Sequence, residues 1–155
     1  MKSPLFLAVR GAMALSVCVA TAHAADWCAP EPTPHAQSVG ASVATTAAEY
    51  RIAAARHVYA SYGSCVLSGK LPPLVHAVVL VELAVGKDGN VHRVNFVRVP
   101  PEMPNAAELV GGMIQRIAPF PAAADAGVEE VAFNEVWIFD EQGRFQLGAL
   151  TEGPL

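Results

Sequence analysis

The sequence predicts an α+β domain in which a small antiparallel sheet, ordered strand-strand-helix-strand, is joined by an additional N-terminal helix. Three observations predict it. Residues 76–99 alternate apolar side chains on either side of an Asp-Gly turn; two other stretches repeat apolar residues at helical spacing behind capping residues; and residues 131–139 are a run of β-branched and aromatic residues.

Taken in order, residues 1–24 have the form of a secretory signal peptide. Lys2 and Arg10 precede a short apolar run, and Ala22-His23-Ala24 resembles a small-x-small cleavage site. A span needs roughly 20 apolar residues and Arg10 interrupts the run, so no stable membrane span is expected after processing. Leu15-Ser16-Val17-Cys18 loosely matches a bacterial lipobox, which makes lipid anchoring through Cys18 the alternative to cleavage after Ala24. Residues 25–44 form a Pro/Ala/Ser-rich leader, extended by Pro30, Pro32 and Pro34. The folded domain is expected over residues 45–155.

Thr46 and Glu49 have capping-box spacing and predict a helix running to Tyr62, closed by Gly63. Its apolar stripe is read as Ile52, Ala55, Tyr59 and Tyr62, leaving Glu49, Arg51 and Arg56 to water. The first strand follows, with Val79, Val81, Leu83 and Val85 on its core face; the opposite row, Val78, Leu80, Glu82 and Ala84, is mixed. Lys87-Asp88-Gly89-Asn90 turns the chain, and the returning strand from Val91 sets Val94 and Phe96 against Arg93, Asn95 and Val97 until Pro100 and Pro101 end it.

Asn105 and Glu108 start a second helix whose buried side is Val110, Met113, Ile114 and Ile117 and whose stop is Pro119. Gly111 and Gly112 are costly in a helix interior, and either close approach to the sheet or fraying accounts for them. The third strand, residues 131–139, has an imperfect alternation because Glu135 shares a row with Val131, Phe133, Trp137 and Phe139; a bulge or a two-sided environment is expected. Residues 140–143 turn into a short last strand, 144–147.

With 53% hydrophobic and 15% charged residues the chain can bury a modest core. Its net charge is −4, and loss of Lys2 and Arg10 with the leader would leave eight basic residues against 14 acidic ones, a net −6. No basic cluster follows, so a nucleic acid is not an expected partner. Removing Cys18 leaves Cys28 and Cys65, an even number in an oxidising compartment, and one disulfide is expected between them.

The order and spacing of residues 79–85, Lys87-Asp88-Gly89-Asn90-Val91, Val94 and Ala118-Pro119-Phe120-Pro121 resemble the carboxy-terminal domain of the energy transducer TonB and its TolA-like relatives, over residues 70–147. The resemblance implies a TonB C-terminal-like fold and a periplasmic module that binds an envelope or outer-membrane protein. Members of that family are held by an uncleaved helix and a long proline-rich linker. Here the proline run is short and Tyr62-Gly63-Ser64-Cys65 replaces the Tyr-Pro at the start of the family's domain, so energy coupling is not carried over.

An exposed sheet edge offers unpaired backbone groups to an extended peptide, the mode the resemblance implies. The matching edge is residues 131–139, with Val131, Phe133, Glu135, Trp137 and Phe139 as partner-binding residues; core packing is the competing role for Trp137 and Phe139. No catalytic, cofactor-binding or metal-ligating set is assigned. His35, His57, His76 and His92 fall one to an element without zinc spacing, and Glu129-Glu130 reads as a solvated loop end. The alternative from another class is a small exported enzyme or ligand-binding protein on the same fold, which a sizeable pocket lined by His57, His76 or Cys65 would favour.

Overall fold

The structure, a computed structural model, describes residues 44–123 and 127–154 together with Cys28. The expected signal peptide, the Cys18 anchor and most of the Pro/Ala/Ser-rich leader lie outside the described residues. Among the described residues no helix is long and apolar enough to cross a membrane.

Helix α1 (Ala47–Ser61) begins at Thr46, whose hydroxyl accepts from the Glu49 amide at 3.2 Å. The Glu49 carboxylate reaches back to the amide and hydroxyl of Thr45 rather than to Thr46, so the reciprocal cap is displaced by one residue. The buried face also differs from the expected stripe. Tyr50, Ala54, Ala55, Val58 and Ser61 are buried, whereas Ile52 is 38% exposed and Tyr59 only half-buried.

A single 3-10 turn, Gly63–Cys65, leads through a loop to β1 (Ala77–Gly86), which folds back as β2 (Val91–Arg98). Gly89 sits at φ +84°, where only glycine is unstrained. A Cβ there would also fall 2.1 Å from the Phe120 carbonyl oxygen, because the Gly89 carbonyl accepts the Phe120 amide at 2.9 Å. The Asp-Gly turn is thus locked onto the Pro119-Phe120-Pro121 segment, and the buried Phe120 ring lies 5.1 Å from that of His57.

Helix α2 (Ala106–Arg116) buries Ala106, Val110, Met113 and Ile114, as the spacing requires, but Asn105 makes no side-chain cap bond. Strand β3 (Glu130–Phe139) and β4 (Phe145–Leu147) complete a four-stranded antiparallel sheet in the order β2-β1-β3-β4. Both helices cover the face that carries Val79, Val81, Leu83 and Val85. Tyr50 of α1 meets Phe133 edge to face, Tyr59 and Tyr62 meet Phe145, and Gly111 of α2 faces Phe96. The other face remains half-open, with Val78, Leu80, Val136 and Ile138 half-buried.

No bulge interrupts β3, which pairs residue for residue with β1 from Phe139 opposite Ala77 to Glu130 opposite Gly86. Glu135 keeps its place in the apolar row because Arg51, which was expected in water, meets it from α1 through bonds of 3.0 and 3.2 Å. The same carboxylate accepts the amides of Val136 and Ala149, so a buried charge is fully satisfied. The register shifts fall instead in the β1–β2 ladder. Cys28 and Cys65 are joined by a disulfide, which ties the leader to the turn after α1.

Candidate functional site: the sheet edges

A sheet ends where a strand has backbone groups with no neighbour, and which groups those are follows from the ladder. Residues that exchange hydrogen bonds across an antiparallel pair alternate with residues that do not. The Lys87 amide donates to the Glu129 carbonyl in the β1–β3 register, so odd-numbered residues of β1 and β3 bond to each other. Even-numbered residues of β3 then face the far side. The Gly148 amide donates to the Val136 carbonyl there, in agreement.

The expected edge over residues 131–139 is therefore closed along much of its length. Trp137, Ile138 and Phe139 pair with β4, and residues 148–149 cover Val136 and Glu135. Beyond β4, the Leu67 amide donates to the Phe145 carbonyl and a parallel bridge joins Val66 to Phe145, which covers that side of the sheet too. On β3 the backbone of Glu130, Ala132 and Asn134 remains open among the described residues.

All five side chains expected to bind a partner point into the core. Val131, Phe133, Glu135, Trp137 and Phe139 are each exposed by 8% or less, so none of these side chains stands on the surface. The physical reason is that the whole odd-numbered row lies under α1 and its neighbours, with Tyr50 packed on Phe133 and Phe145 on Trp137. The Trp137 indole nitrogen has no hydrogen-bond partner among the described residues.

The other end of the sheet is different. Among the described residues strand β2 pairs with β1 alone. Val94 and Phe96 lie opposite odd-numbered Leu83 and Val81, whose backbones bond β3, so their own N–H and C=O groups point away from β1, where no described residue pairs with them. Arg93 and Asn95 lie opposite Ala84 and Glu82, and Arg98 lies opposite Leu80, on the face away from the helices. Arg93 approaches Glu82 and Glu130 at 3.6 and 3.7 Å, and Arg98 has no ion pair among the described residues.

Several other polar groups are engaged in holding the fold. His57 is 2.8 Å from the Ile117 carbonyl, and His92 is 3.0 Å from the Glu130 carboxylate, beside the exposed Lys87–Glu129 pair. Asp140 holds the Arg144 guanidinium and backbone amide at 2.8 Å, and the buried Gln146 donates to the Leu67 and Gly69 carbonyls. Two surface depressions of about 270 and 310 Å³ flank the β3–β4 turn, the smaller beside His76 and Met103, the larger beside Lys70 and Leu74. No group of three His, Cys, Asp or Glu side chains among the described residues is arranged to hold a metal ion. Comparison with family models, with curated proteins and with solved structures finds no match to this chain.

Proposed function

We propose that this chain is a non-enzymatic protein-interaction module of the periplasm, which binds an envelope or outer-membrane protein by taking an extended segment of it as an added strand. One observation carries the reading: among the described residues the sheet ends in β2, whose Val94 and Phe96 backbones have no strand partner on that side. The Cys28–Cys65 disulfide supports an oxidising compartment. The strand-strand-helix-strand order supports kinship in fold with the TonB C-terminal domain, with the partner edge moved away from β3.

The test is site-specific photocrosslinking of the full chain in its native envelope. A photoreactive residue is placed at Val97 beside the β2 edge, at Asn134 on the open part of β3, or at Arg56 on the surface of α1. A discrete adduct with another polypeptide from either edge position, and none from Arg56, is expected. Adducts from all three positions alike, or none from either edge, would overturn the reading.

A further inference from the structure

We infer that the seat for that partner is the β2 edge, and that the segment it takes is extended and alternates acidic with apolar side chains. This rests on the strand-addition reading above and adds which edge is used and what chemistry occupies it.

The two open edges differ in what lies beside them. At Ala132 and Asn134 of β3 the flanking inward side chains, Val131 and Phe133, are sealed, with Tyr50 on Phe133 and its hydroxyl donating to the Pro121 carbonyl at 2.6 Å. A strand added there would find no surface for its inward side chains. Beside β2 the inward side chains of Val94 and Phe96 are only half-buried.

Helix α2 leaves that surface accessible. Ala107 and Gly111, four residues apart, share one flank of the helix, and Gly111 lies over the Phe96 ring. A Cβ on Gly111 would meet the Phe96 ring at 3.6 Å, an ordinary contact, so internal packing does not require glycine here. What the missing side chain provides is space above Phe96 for an apolar side chain from outside.

The outward row sets the charge. Strand β2 itself carries His92, Arg93 and Arg98 and no acidic residue; Glu82 and Glu130 of β1 and β3 stand against Arg93 and His92, so Arg98 is the strand's cation without an ion pair among the described residues. Two copies of β2 laid edge to edge would bring together strands of one sign, and like charges facing across strands are unfavourable. The occupant is therefore a different polypeptide, whose outward side chains include Asp or Glu against Arg98 and whose inward side chains are apolar.

The test is an NMR titration of the full mature chain with a capped twelve-residue peptide alternating Glu and Val, and with its Lys and Val counterpart. Binding of the Glu peptide should move the amides of Val94 and Phe96 first, and it should weaken at high salt. Arg98→Glu, at an exposed position, should weaken it about tenfold. Gly111→Leu should weaken it as well by filling the space over Phe96. An unchanged spectrum for β1 and β3 would show that each variant is folded.

Shifts centred on Ala132 and Asn134 would overturn the β2 assignment while leaving strand addition standing. Equal binding of the two peptides would overturn the acidic partner. Movement of the β2 amides with protein concentration alone would make the occupant a second copy, and no response to either peptide would also overturn the inference, whatever crosslinking shows.

Discussion

Glu135 and Arg51 show how a single pair can decide a local structure. Glu135 sits in an otherwise apolar strand row, and its partner lies 84 residues earlier in the chain. A reading along the sequence sees the charge and infers an irregular strand, because nothing local announces the arginine. Glu135→Leu leaves a part-exposed guanidinium and the amides of Val136 and Ala149 without their acceptor, and should cost about 1–3 kcal/mol in urea unfolding. The double replacement Arg51→Met with Glu135→Leu should recover much of that loss. Tyr50 offers a second test at this scale, because burial raises its hydroxyl above the ordinary tyrosine range. The folded state favours the neutral form, so this contribution is complete below about pH 10 and declines as the pH rises further. Stability should therefore fall as the pH rises above about 10, and the slope should be shallower in Tyr50→Phe.

At the scale of elements, every helix and strand in the sequence reading is present in the same order, because turns and periodicity are local properties. The Asp-Gly turn, the alternation of β1 and the spacing in α2 each carry their own signal. The face of α1 does not. Its interior is rich in alanine, which differs little between a buried and an exposed position, so the stripe through Ile52 and Tyr59 and the one through Tyr50 and Val58 are equally plausible until Phe133, packed on Tyr50, chooses between them. Two glycines separate need from tolerance. Gly89→Ala meets both a positive φ and the Phe120 carbonyl, and should destabilise by about 2–3 kcal/mol. Gly111→Ala meets only an ordinary contact and should stabilise by up to about 1 kcal/mol, read as a shift in the thermal midpoint.

For the whole molecule, the arrangement that matters is one of covered and uncovered borders. Four strands with both helices on one face leave two lateral borders, and the loop and tail around β4 close one of them. Sequence order alone places β3 at that border and cannot show that three residues of β4 and the tail behind it seal much of it. The burial of Val131, Phe133, Glu135, Trp137 and Phe139 follows from α1 and Phe145 packed over that row. The disulfide acts at this scale too. It joins residues 37 apart, so replacing Cys28 and Cys65 by serine should cost about 2–5 kcal/mol, and alkylation of the freshly isolated protein should find neither thiol free.

The most direct measurement is residue-resolved hydrogen exchange of the free protein. With β2 as the uncovered border, the Val94 and Phe96 amides should exchange quickly while Arg93 and Asn95, bonded to β1, stay protected. Equal protection of all four in the free protein would mean that this border is already covered, and would contradict an edge held open for another polypeptide.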